Sequence, residues 1–317
     1  MSDCSRIVDF SSQLCSPTNE LASAGLIILG PTMTLIIREA CAEDAEEGGR
    51  ICYEAFAAIA NAHNFLPDFP SAEQCTGLFS MLLGAPHVYA VVAEKDGKVV
   101  GSNFLAEGGT VSGVGPISVD PQIQNSGIGA RLMQAVMDRS RAKAFPGIRL
   151  VQAGYHCRSF SLYSKLGFEV REHLTCMTGN PVGKTFAGYN VRPATEKDIV
   201  ACNALCLRVH GLDRNGELRA SSKQGHARVV ERDGRITGYT TNVGFVGHSV
   251  AETTDDLKAL IASADAFPHP GFIVPSRNGE LLRWCFSEGL RMNQPLTLMT
   301  IGLYNEPKGA WMPSILY

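Results

Sequence analysis

The chain has 317 residues, enough for two ordinary domains. Hydrophobic residues make up 45% and charged residues 19%, which excludes a disordered chain; the net charge of −3 and the lack of any long Lys/Arg run argue against nucleic acid as a partner. Its ten cysteines include no C-x-x-C pair, so zinc and thioredoxin-like sites have no support, no metal is expected, and free thiols in a reducing cytoplasm are.

Residues 1–32 carry an acid near their beginning, lack a basic n-region, and hold an apolar run near Leu26–Leu29 that Gly30-Pro31 interrupts. That is a poor signal peptide and far too short to cross a membrane; a disordered extension is expected, with Met33 opening the first strand. A strand at 34–38 leads into a polar turn with Asp44 and an amphipathic helix at 42–62. The connection "NAHNFLPDFPS" (61–71) mixes aromatic and polar groups at His63, Asn64, Phe65, Asp68 and Phe69, as a small-ligand site needs. The same phenylalanines would equally serve as a hydrophobic clasp. A second helix at 71–84 follows, then strands at 88–94 and 98–106 joined by the hairpin pair Asp96-Gly97. A strand at 110–119, a helix at 127–144, a strand at 148–154, a helix at 158–166 and a strand at 168–177 complete the first part. Turn residues collect in "TGNPVGKTFAG" and place a boundary near 178–188.

The rest of the chain repeats the pattern. "IREACAEDAEEGGRICYEAF" (37–56) resembles "VRPATEKDIVACNALCLRVH" (191–210), and "YAVVAEKDGKVVGSNFLAEG" (89–108) resembles "HARVVERDGRITGYTTNVGF" (226–245). The first copy carries about seventeen more residues between these blocks, where the helix at 71–84 falls. Mixed strands and helices give an α/β (α+β) class with a mixed sheet in each copy.

Between the fourth strand and its helix lies Gln124-Asn125-Ser126-Gly127-Ile128-Gly129, and the helix carries Leu132, Met133, Val136 and Met137 on one face. The first turn of a helix leaves about four N–H groups without partners, the helix dipole adds about half a positive charge there, and glycine lets a ligand approach. Together these favour an anion, usually a phosphate. A flexible strand-to-helix turn is the competing reading of the glycines.

That loop, in that place, resembles the signature of the GNAT superfamily of acyl-CoA-dependent N-acetyltransferases, [Arg or Gln]-x-x-Gly-x-[Gly or Ala]. A second family feature is an Asn seven residues before a Tyr, followed by Leu-Gly-Phe. Here "HCRSFSLYSKLGF" sets His156 at the Asn position and Tyr163 at the Tyr position, before Leu166-Gly167-Phe168. The resemblance implies two GNAT-like mixed-sheet domains in tandem: a catalytic one at 33–180 and a degenerate one at 188–317. It implies acetyl-CoA as co-substrate, with pyrophosphate on the backbone of Gln124, Asn125, Ser126, Gly127, Ile128, Gly129 and Ala130. Pantetheine would pair with Ile117, Ser118 and Val119, with His156 and Ser159 beside it. Tyr163 would protonate the leaving thiolate. The family's frequent Glu on the fourth strand is absent from "TVSGVGPISV" (110–119), which leaves a water chain, or Glu107 acting through water, to remove the amine's proton. In the second copy "FVGHSV" runs into "AETTDDLKAL", with no glycine loop and with Asp255-Asp256 opening the helix, so no CoA is expected there.

The function expected is transfer of the acetyl group of acetyl-CoA to a primary amine of a small molecule by direct attack in a ternary complex. The alternative is a non-catalytic acyl-CoA sensor or interaction protein. A small-molecule amine is the expected partner, with no nucleic acid and no membrane; a homodimer stays open. An NAD-type dehydrogenase is disfavoured, because its glycine loop follows the first strand, not the fourth.

Overall fold

The computed structural model describes residues 35–316; the extension expected at 1–32 lies outside the described residues. Strand β1 (Leu35–Glu39) passes through a 3-10 turn at Ala42–Asp44 into helix α1 (Ala45–Ala62). Arg38 fixes this corner. Its guanidinium donates to both Asp44 oxygens at 2.8 Å and to Glu94 at 2.8 Å, while Asp44 also accepts the Cys41 N–H at 2.8 Å. The second half repeats the device between β8 (Asn190–Pro193) and α5 (Ile199–His210). Arg192 donates to Asp198 at 2.8 and 2.9 Å and to Glu231, and Asp198 accepts the Thr195 N–H at 2.8 Å. The repeat seen in the sequence is thus a repeat of an ion cluster.

Helix α2 (Ala72–Leu83) starts at Ser71, whose hydroxyl accepts the Gln74 N–H, and packs on α1. The second half also has a second helix, α6 (Asn215–Lys223), nine residues against twelve; the shorter connection truncates the helix rather than deleting it. Strands β2 (Val88–Lys95) and β3 (Lys98–Ala106) form the expected hairpin, with Asp96 and Gly97 both left-handed at φ 51° and 77°. The strand expected at 110–119 is broken into β4 (Ser112–Val114) and β5 (Ser118–Val119) at Pro116, which has no N–H to donate. Helix α3 (Ile128–Ala142) buries Ile128, Leu132, Met133, Val136 and Met137 in the core of the first half. Each such side chain contributes about 1.5–3 kcal/mol.

The described strands form two sheets. The five-stranded one has the order β14-β11-β10-β9-β8, where β9 is Arg228–Arg232, β10 Arg235–Thr240, β11 Ser249–Ala251 and β14 Ala310–Met312. The nine-stranded one runs β1-β2-β3-β4-β6-β13-β7-β12, with β5 on β3. Here β6 is Gly147–Ala153, β7 Glu169–Thr178, β12 Phe272–Pro275 and β13 Arg291–Gly302. The copies expected as separate domains therefore share a sheet. Strand β13 lies antiparallel to both β6 and β7, pairing Leu296 with Ala153 on one side and with Leu174 on the other. Its run Leu296–Thr300 is buried throughout, the pattern of a strand covered on both faces. One core cluster accordingly joins Leu174 and Cys176 of β7 to Ile273, Leu296, Leu298 and Trp311.

Asp44 supplies the first prediction. Arg38 holds its carboxyl down at about 2, below the ordinary value near 3.9. A carboxylate with a depressed folded value stabilises fully above the unfolded value and loses that stabilisation as pH falls through the folded one. Asp44→Asn should cost about 1–2 kcal/mol at pH 7, discounted because Arg38 is a third exposed. The difference from the native chain should shrink between about pH 4 and pH 2. Urea midpoints at a series of pH values check both.

Candidate functional site

A cavity of about 720 Å³ lies where β4 and β6 part company. The two strands pair in parallel only at Ser112–Ile148 and Gly113–Arg149; beyond them the chain stays on β3, where β5 continues the antiparallel pairing of β4 at Gly101 and Ser102, and leaves β6. Ile117, Ser118 and Val119 line one side of the resulting V, and Leu150, Val151 and Gln152 line the other.

The loop at the mouth of the V is held by its own side chains. Asp120 Oδ1 accepts the Gln122 N–H at 2.9 Å. Gln124 Nε2 donates to Val119 O at 3.0 Å, and Arg158 donates to Gln124 Oε1. Ser126 donates to Ile123 O at 2.6 Å. Asn125 and Gly127 are left-handed at φ 66° and 82°, conformations that Asn tolerates and Gly adopts freely. Gly127 caps α3 without any side-chain acceptor, so the N–H groups of Ile128, Gly129 and Ala130 lack the partners that an N-cap supplies. A Cβ built on Gly127 meets nothing within 4 Å. Unpaired donors, the helix dipole and open space coincide, the requirements of an anion site.

Deeper in, α4 (Cys157–Lys165) delivers Tyr163, which is 6% exposed and meets the Phe168 ring edge-on at 6.1 Å. Burial pushes its phenol well above the ordinary value, so it stays protonated. His156 caps the same helix. Burial, with Arg158 and His63 adding, pushes its ring down to about 4, and its buried Nε2 finds no hydrogen-bond partner among the described residues. Ser159 donates to Gln152 Oε1 at 2.8 Å, while Gln152 Nε2 is buried without a partner among the described residues. Two polar nitrogens without partners thus stand at the wall of one cavity.

Of the five residues expected at the acceptor end, Asp68 and Phe69 reach the cavity wall and His63, Asn64 and Phe65 do not. Phe65 stacks on Tyr155 at 4.2 Å and 9°, His63 lies 5.4 Å from the same ring, and Asn64, left-handed at φ 59°, turns the chain at the end of α1. His63 and Phe65 thus back Tyr155, which does line the cavity. Phe69 also meets Phe56 edge-on at 5.3 Å, so the clasp and the wall are the same residues. Glu107, considered as a base through water, is instead bound to Arg139 at 2.7 and 3.1 Å and lies off the cavity. The second half adds Phe245, His269, Pro270, Leu296 and Ile315 to the wall. No local signal marks these, because they come from three separate stretches of the second half: Phe245 between β10 and β11, His269 and Pro270 before β12, and Leu296 and Ile315 on β13 and the chain beyond it.

Residues 86–170 match the family model described as an acetyltransferase (GNAT) domain. An "IAA acetyltransferase" of Azospirillum brasilense is 31% identical over 116 residues, covering 36% of this chain and 75% of that protein. The chain belongs to the GNAT acetyltransferase family. It is an acyltransferase. Among solved GNAT-like structures, a putative acetyltransferase from Pyrococcus horikoshii superposes with a TM-score of 0.69 at 20% identity, covering 93% of this chain and 97% of its own. A tandem GNAT protein from the clavulanic acid biosynthesis pathway superposes with a TM-score of 0.51 at 15% identity, over 85% of this chain and 98% of its own. Both likenesses concern the fold, and both extend across the two halves of the chain. Among the described residues, no helix is long and apolar enough to cross a membrane.

The ring of His156 offers a direct check on how dry the GNAT cavity is. Its folded value of about 4 lies below the ordinary 6.5, so the unfolded chain takes up a proton first and this site disfavours folding as pH drops from about 6.5 toward 4. The imidazole carbons of His156, followed by NMR, should titrate near 4. A midpoint near 6.5 would mean that water reaches the ring.

Proposed function

We propose that the first half transfers the acetyl group of acetyl-CoA to a primary amine of a small molecule, by direct attack while both are bound. The observation that carries the reading is the uncapped N-terminus of α3 at the mouth of the V, opening on the same cavity as Tyr163. Pyrophosphate sits on the N–H groups at 124–130. The pantetheine amides pair with the free backbone of Ile117–Val119 as an added strand, and His156 and Ser159 flank the arm. The thioester then lies toward Tyr163. A thiolate leaving group has a conjugate acid near 8.5 and gains from a proton donor, and a buried, protonated phenol supplies one.

The second half takes up no CoA in this reading. There β14 lies antiparallel on β11, pairing Ala251 with Ala310, Val250 with Trp311 and Ser249 with Met312, and packs beside β12. The chain's own strand fills the gap that pantetheine would enter. Helix α7 (Thr254–Ala262) is closed as well: Thr253 Oγ1 accepts the Asp256 N–H at 3.2 Å, and Asp256 Oδ2 accepts the Thr253 N–H at 3.0 Å and its hydroxyl at 2.6 Å. This capping box satisfies the third N–H of the helix, whose counterpart at Ala130 has no side-chain acceptor, and sets a carboxylate over the helix end.

Calorimetry with acetyl-CoA should give one site per chain, and Gly127→Asp should abolish it, because its carboxylate enters the open space before the helix and its Cβ strains a φ of 82°. Two sites per chain, or normal binding by the variant, would refute the assignment. Tyr163→Phe keeps the ring and should lower kcat by about 10²-fold while acetyl-CoA affinity changes far less. Equal losses in both would make Tyr163 a binding residue.

A further inference from the structure

We propose that Asp68, oriented by Gln294 of β13, receives the proton of the acceptor's ammonium group, and that the acceptor is a primary amine with an apolar, ring-sized body. This rests on the acetyl-transfer reading above. Asp68 stands on the connection between α1 and α2, at the cavity wall beside Phe56, Phe69 and Tyr155. Its Oδ1 accepts a hydrogen bond from Gln294 Nε2 at 2.5 Å, and Oδ2 takes none among the described residues. Gln294 is 1% exposed and follows a bulge in β13 between Met292 and Gln294, the kind of irregularity that re-aims a side chain. No Lys or Arg pairs with Asp68 among the described residues. His269, from the segment before β12, attracts it; Tyr155, Cys52 of α1 and Cys176 of β7 also face it. Burial pushes the carboxyl up, against the pull of Gln294 and His269.

A carboxylate held in an apolar wall without a cation is costly, and an ammonium ion is the partner that relieves it. The same cavity is lined by Phe56, Ile59, Phe69, Phe245 and Pro270, which suit an aryl or branched alkyl body and offer little to a polycation. The other candidates are weaker: His156 is a poor base with its ring held near 4, and Glu107 is tied to Arg139.

The chemistry balances. The ammonium group gives one proton to Asp68 Oδ2, leaving a neutral amine and a carboxylic acid. The amine lone pair forms the C–N bond at the thioester carbonyl carbon, and the C–S bond breaks with its electron pair on sulfur. One of the two remaining N–H protons reaches sulfur by way of Tyr163. The Asp68 proton goes to solvent. One ammonium ion and one acetyl-CoA give one amide, one CoA thiol and one proton.

The test uses the full chain, thiol release, and phenethylamine, isoamylamine and spermidine as acceptors. The aryl and branched amines should turn over faster than spermidine. D68N should lower kcat at pH 7 by about 10²–10⁴-fold, with the deficit shrinking as pH approaches the amine's own value near 10.4, and acetyl-CoA affinity unchanged. Gln294→Leu removes a bond that favours the carboxylate, so the acid limb of kcat/KM should move to higher pH while the plateau largely persists. An undiminished kcat in D68N, a loss confined to KM at every pH, or an unmoved limb in Gln294→Leu would overturn the proposal. If the native chain binds acetyl-CoA yet releases thiol with no amine, the acetyl-transfer reading itself fails. A readout without turnover then decides Asp68. Its carboxyl carbon, followed by NMR in the CoA-bound protein, should titrate lower when phenethylamine is added; no movement with any of the three amines sinks the proposal.

Discussion

The site depends on one strand. Strand β13 comes from the end of the second half and lies between β6 and β7 of the first, hydrogen-bonded to both. Without it β6 would be an open edge, next to the place where the sheet already parts from β4. With it, β6 is clamped on one side and free on the other, so the V opens in a fixed position. The same strand carries Leu296 into the cavity wall and Gln294 onto Asp68. Folding of the two halves is therefore one event at the site: the first half has no complete sheet, and its cavity no complete wall, until the second half has delivered its strand.

The two halves start from the same device and close it differently. In each, an arginine at the end of the first strand clamps an aspartate that caps the turn into the first helix. In each, a central strand runs toward a helix N-terminus. In the first half, that terminus is preceded by a left-handed glycine with no side-chain acceptor. In the second, Thr253 and Asp256 satisfy it, and Thr237 adds a bond of 2.6 Å to the same aspartate. A helix end that has made its own hydrogen bonds has little left to offer a phosphate. The gap beside it is filled by β14 through ordinary antiparallel pairing. One half keeps its polar groups free, and the other spends them on itself.

What the sequence disclosed followed from local rules. The Asp-Gly hairpin, the helix faces around Leu132 and Met133, and the loop at 124–129 are each specified within a few residues, and the structure has them where periodicity and turn chemistry set them. The break at Pro116 was also legible in principle, since proline cannot donate to a ladder. Long-range placement was not. Nothing near "RMNQPLTLMTIG" says that its partners are β6 and β7 rather than strands of its own half, because a buried strand with both faces covered reads the same in either sheet. The error at the acceptor end has the same origin. His63, Asn64 and Phe65 share a loop with Asp68 and Phe69, but spacing along a loop does not fix which side chains face inward; stacking on Tyr155 decided it.

Desolvation gives the cavity its chemical character. Burial drives Tyr163 and Tyr155 up, His156 down and Asp68 up, in every case toward the neutral form. A wall that penalises charge on its own side chains penalises it on a ligand too. An ammonium ion that enters alone is destabilised, and so is the thiolate that leaves. Acyl transfer from a thioester to an amine begins with a charged nucleophile that must become neutral and passes through an anionic sulfur that must be protonated. In the proposed transfer, moving a proton off nitrogen and a proton onto sulfur both reduce charge inside this cavity. In the proposed reaction, the apolar wall that makes Asp68 expensive as a lone carboxylate is what favours its uptake of the amine's proton, and the second half supplies a large part of that wall.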